Sequence, residues 1–92
     1  MLNKKQSNSI PPKMKINILL FGVLTEITGE THLQVEAEKI TDLNELHKYL
    51  VNQYPGLGQK TFQYAVNQAI SSAGHPLYAG DEVALLPHFS GG

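Results

Sequence analysis

The sequence closes on "PHFSGG", and its final pair, Gly91 and Gly92, puts a carboxylate at the end of a thread that lacks a Cβ at both last positions. Glycine loses more backbone freedom on ordering than any other residue and brings no side chain to a core, so such an end adds nothing to packing. Its chemistry is that of the carboxylate. This group is a poor electrophile at neutral pH and has to be activated; attack by its oxygen on the α-phosphate of ATP gives an acyl-adenylate with AMP as leaving group. That reaction needs reach into a partner's active site and an unhindered carbonyl, and two glycines supply both.

Other chemistry is thinly supplied. The chain has no cysteine, which excludes disulfides, thiolate metal sites and a thiol nucleophile or persulfide on the protein itself. Four histidines, His32, His47, His75 and His88, show no metal-ligand spacing, and no metal is expected. No motif supports a serine-histidine-aspartate triad. A formal net charge of −1 provides no basic surface for nucleic acid or anionic lipid. No apolar run is long enough to span a membrane, and the polar start "MLNKKQSNSIPPK" lacks the apolar core of a secretory signal. The expectation is a cytoplasmic protein.

The elements that must carry the tail follow from periodicity. Residues 1–13 contain Pro11-Pro12 and no periodic pattern, and read as a flexible extension ahead of one domain over 14–87, with 88–92 as a flexible tail. "KINILLFG" predicts a strand with Ile16, Ile18 and Leu20 on one face and Leu19 and Phe21 on the other, hence covered on both sides and central. "VLTEITGE" reads as a connection in which Gly29 is free to turn left-handed. "THLQVEA" alternates as a half-exposed strand. Leu43, Leu46, His47, Leu50, Val51 and Tyr54 form one stripe of a helix, capped by Thr41 or Asp42, with Glu45 placed to complete a capping box if Asp42 is the cap. "YPGLGQ" stops it.

"FQYAVNQAI" reads as one short strand, with Asn67 either anchoring the tail or a partner, or satisfying local backbone at an edge or turn. A loop containing Gly74, Pro76 and the Gly80-Asp81 turn leads to "EVALLP", again apolar on both faces, which Pro87 ends. Phe21, Leu85 and Leu86 read as sheet residues, and one doubly apolar face could continue into a partner surface. Two such strands pack most economically side by side with the helix across one face. That is an α+β fold, a β-grasp or ubiquitin-like roll with a mixed sheet of four to five strands and one main helix.

The segments "KINILLFGVLTEITG", "AVNQAI" and "GDEVALLPHFSGG" resemble the sulfur-carrier subunits of molybdopterin synthase, the MoaD family, over residues 14–92. The matches are Phe21, Glu26 and Gly29, then Ala65, Val66 and Asn67, then Gly80 through Ala84, Pro87, Gly91 and Gly92. His88 and Phe89 depart from the family, which often has a second proline and a smaller aliphatic residue there. The resemblance implies a carrier that is not catalytic alone and binds no cofactor of its own. A ubiquitin-activating-like adenylyltransferase would use ATP to form the Gly92 adenylate, and a sulfur donor would turn it into a thiocarboxylate. The large synthase subunit would then receive the carrier, with sulfur passing to cyclic pyranopterin monophosphate. The residues implied at the partner surfaces are Phe21, Leu86, His88, Phe89, Ser90, Gly91 and Gly92. The alternatives are the thiamine-pathway carrier, which shares the asparagine strand and the Gly-Gly end, a ubiquitin-like protein modifier, and a plain binding module.

Overall fold

The computed structural model describes residues 14–88. The expectations for residues 1–13 and for Phe89, Ser90, Gly91 and Gly92 lie outside the described residues. The elements in chain order are β1 (Lys15–Leu20), α1 (Val23–Thr28), β2 (His32–Glu36), α2 (Leu43–Gln53), β3 (Phe62–Val66), β4 (Ala69–Ser71) and β5 (Glu82–Pro87), with short 3₁₀ turns at Ala37–Lys39 and Pro55–Gln59. The sheet runs β2-β1-β5-β3-β4. β1 and β5 are parallel neighbours at its centre, Ile18 beside Val83 and Leu20 beside Leu85, and every other pairing is antiparallel. This is the β-grasp arrangement expected.

One face of the sheet is closed. Ile16, Ile18 and Leu20 of β1 and Val83 and Leu85 of β5 are buried in one cluster with Leu24 of α1 and Leu43, Leu46 and Leu50 of α2. Each fully buried leucine contributes about 2 kcal/mol from the area it removes from water. α2 forms as the pattern predicts. Asp42 is its N-cap and its carboxylate accepts from the Glu45 N–H at 2.9 Å. Pro55 follows Tyr54, and the 3₁₀ turn after it seats Leu57 in the core.

Four expectations are corrected. "VLTEITGE" is not a bare connection. It holds the six-residue α1, with Leu24 buried and Ile27 packed on the core one turn later; Gly29 ends it at φ 76° and donates to the Thr25 carbonyl at 2.7 Å. "FQYAVNQAI" is a hairpin and not one strand. Asn67 and Gln68 turn the chain at φ 49° and 73°, the doubly positive pattern whose twist suits two-residue hairpins. Finally, β1 and β5 are central but closed on one side only. Lys15, Asn17 and Leu19 of β1 and Ala84 and Leu86 of β5 are half-buried on the opposite, outer face. Phe21 lies just past β1 in the turn to α1, since Leu24 donates to its carbonyl at 3.2 Å, and so is not a sheet residue.

Asn67 has a structural task. Its amide nitrogen donates to the Asp81 carboxylate at 3.0 Å, and its side-chain oxygen accepts from the Glu82 N–H at 3.0 Å. The other Asp81 oxygen accepts from the Tyr78 N–H at 2.8 Å. This clasp ties the β3–β4 turn and the Gly80-Asp81 turn to the first residue of β5. Replacing Asn67 by alanine is expected to cost about 2 kcal/mol, from two lost hydrogen bonds and a left-handed backbone that alanine resists. Asn67→Gly keeps the backbone freedom but not the bonds, so urea unfolding of the two variants separates the terms. Equal stability of Asn67→Ala and the parent chain would show that the clasp is idle.

Candidate functional site

β5 delivers the chain end from mid-sheet. Pro87 is its last residue, opposite Phe62 on β3, and the His88 N–H reaches the Thr61 carbonyl at 3.4 Å, one further weak rung. A proline fits here because the position needs no donor of its own. β5 is flanked by β1 as far as Leu85 and by β3 as far as Pro87, so His88 leaves the sheet from a point held on the β3 side.

An apolar groove of about 580 Å³ opens beside that point, lined by Phe21, Gly22, Val23, Gln63, Leu86, Pro87 and His88. Phe21 is 45% and Val23 39% exposed, unusual for large apolar groups of a small domain. The floor depends on Gly22. Its backbone, φ 59° and ψ −138°, lies where glycine alone is comfortable, and a Cβ there would stand 3.0 Å from the Pro87 Cγ. The turn from β1 into α1 is thus pressed against the end of β5, and this contact brings Phe21 and Val23 next to Leu86.

The groove continues onto the outer face. Leu86 faces Gln63 across the β5–β3 ladder, and the next row across the sheet carries Leu19, Ala84, Ala65 and Ile70 in register. Ile70 is 61% exposed. Both helices place their buried leucines on the other face. Apolar residues thus form a strip at the tail end of the outer face, Leu19, Ala84, Ala65, Ile70 and Leu86, while Asn17, Gln34 and Glu82 in the row beyond make the rest of that face polar.

Of the residues expected at a partner surface, Phe21, Leu86 and His88 come together here, while Phe89, Ser90, Gly91 and Gly92 lie outside the described residues. Sequence reasoning missed Ile70, Val23 and Gln63. Strand register alone would have revealed Ile70, by pairing it with Ala65 in the row that contains Leu19. The remaining histidines stand elsewhere. His32 is exposed on β2 and His75 in the loop before β5. His47 of α2 places its Nδ1 2.9 Å from the Tyr64 hydroxyl. Its ring meets Tyr64 edge to face and lies tilted against Phe62, and burial pushes the Tyr64 phenol above the usual tyrosine range. That trio packs on the closed face and supports Phe62, the partner of Pro87 in the ladder.

The model of the ThiS family matches residues 18–92. The molybdopterin synthase sulfur carrier subunit of Mycobacterium tuberculosis is 39% identical over 82 residues, which span 86% of this chain and 99% of that protein. The crystal structure of SAMP1 from Haloferax volcanii matches with a TM-score of 0.73 at 25% identity, covering 85% of this chain and 99% of its own. A chain in the complex of subunits 1 and 2 of the molybdopterin-converting factor of Helicobacter pylori matches with a TM-score of 0.61 at 27% identity, over 86% of this chain and 100% of its own.

Proposed function

The chain belongs to the ThiS family, and from that premise we propose that it is the small, sulfur-carrying subunit of a molybdopterin synthase. The observation that carries this reading is the 39% identity to a sulfur carrier subunit of that enzyme over 99% of its length. In the first step an oxygen of the Gly92 carboxylate attacks the α-phosphate of ATP in an adenylating partner, and pyrophosphate leaves. Hydrosulfide released by a sulfur donor then attacks the acyl carbon, the new C–S bond replaces the C–O bond to AMP, AMP leaves with that electron pair, and loss of the S–H proton gives the thiocarboxylate. The large subunit receives this end and passes its sulfur to cyclic pyranopterin monophosphate.

The chain's own contribution is delivery. β5 aims the tail, Gly91 and Gly92 let it enter a narrow channel, and the groove with the outer face gives the large subunit an apolar surface to cover. The complex of subunits 1 and 2 from Helicobacter pylori supports a large-subunit partner. Cytoplasmic work fits these partners. No helix among the described residues is long and apolar enough to cross a membrane.

The test is intact mass after incubation with ATP, the adenylating partner and a sulfur donor. One oxygen replaced by sulfur at Gly92 is the expected product, and its absence sinks the carrier reading. A loaded carrier that serves a thiamine-pathway acceptor, but not cyclic pyranopterin monophosphate, would reassign the pathway and keep the chemistry.

A further inference from the structure

Gln63 puts a primary amide into a groove whose other described lining, apart from His88, carries no polar side chain. It stands on β3 opposite Leu86, two residues from the buried Ala65, and lines the groove with Phe21, Val23 and Pro87. Its neighbours in the strand, Phe62 and Tyr64, face the closed side, so the ladder holds Gln63 on the outer face. The other polar side chain at the groove, His88, belongs to the tail root. In the free chain Gln63 is exposed and its amide is hydrated. A protein that covers the groove strips this water away.

An amide buried in an apolar contact without a partner weakens binding by about ten- to a hundredfold. A groove built for a purely apolar partner would carry leucine or valine at this position, both better strand residues than glutamine. The side chain offers one acceptor oxygen and one donor nitrogen side by side. A carboxylate or an ammonium can match one of the two; another amide matches both.

We propose that Gln63 is a specificity-determining residue of the docking face and that the large subunit sets an amide against it, either a main-chain peptide group or an Asn or Gln side chain. This rests on the docking reading given above. Such a residue excludes wrong partners more than it strengthens the right one, because an apolar surface without the matching pair leaves the Gln63 amide stranded.

Calorimetric titration of the full chain with its large subunit tests the idea, using Gln63→Leu, which keeps the bulk and removes both polar atoms, and Gln63→Glu, which keeps the shape and removes the donor. Both variants are expected to bind about tenfold or more weakly. Their single-turnover sulfur transfer at saturating large subunit should match the parent chain, since a docking residue acts on Kd and not on the chemical step. A Gln63→Leu chain that binds as tightly as the parent or tighter overturns the proposal in favour of an apolar partner surface. Tighter binding by Gln63→Glu overturns it in favour of a cation, and slowed transfer at saturation moves Gln63 out of a docking role. Failure of the parent chain to bind the large subunit at all is a different result, and it removes the docking reading itself. Thermal melts of both variants confirm that the fold is unaltered.

Discussion

A Phe21→Asp chain is expected to fold and to bind its large subunit at least about a hundredfold more weakly than the parent. Phe21 is 45% exposed and sits in a turn, so its loss costs the free domain about 1 kcal/mol of apolar burial and no strand pairing. Docking changes the balance. Among the described residues, the groove's lining holds no lysine or arginine to meet a carboxylate, and an unpaired charge sealed into an apolar contact is penalised by several kcal/mol. The aromatic anchor is lost as well. Calorimetry against the large subunit, with a thermal melt of the free chain, measures both halves of the expectation. Undiminished binding with an intact melt would place the interface elsewhere on the molecule.

The second large effect concerns stability. Gly22→Ala is expected to lower it by about 3 kcal/mol, the sum of a backbone conformation that alanine avoids and the collision of the new Cβ with Pro87. For a domain of this size that corresponds to a fall in Tm of roughly 15 °C. Relief by shifting Pro87 is not free. Its strand is paired on both sides, and moving it pulls on Phe62 and the aromatic packing beneath. Differential scanning calorimetry gives the answer, and a change of Tm within about 3 °C would mean that the turn relaxes without cost.

Much of this was legible in the sequence, and the limits have physical causes. Apolar residues on both faces of "KINILL" and "EVALLP" pointed to two central strands, and both strands are central. It misled about cover. Apolar residues on the second face, Leu19, Ala84 and Leu86, mark a surface that another molecule can bury, and the chain's own elements do not close it. α2 was readable from its stripe and from Asp42, whereas α1, at six residues, is shorter than two turns and shows only the Leu24 and Ile27 pair. The β3–β4 hairpin was hidden because its turn is Asn67-Gln68. A glycine after the asparagine would have announced it, and Gln68 at φ 73° is a choice that propensity does not suggest. The Gly91-Gly92 end, on which the proposed chemistry rests, is plain in the sequence alone. The groove is not, since Gln63 joins Phe21 and Leu86, with Ile70 in the adjoining row, only once the ladder sets their register.

The mid-sheet position of β5 also has a mechanical meaning. Any partner that draws on the chain end pulls along the axis of β5, whose hydrogen-bonded rows to β1 and β3 lie parallel to that force. Both rows are then loaded in shear, and many bonds must yield together. A chain end attached to an edge strand would instead peel, one bond at a time, as fraying termini do. On the proposed reading, in which the chain end passes from one partner to another, the domain can be drawn against each and withdrawn again with its sheet intact.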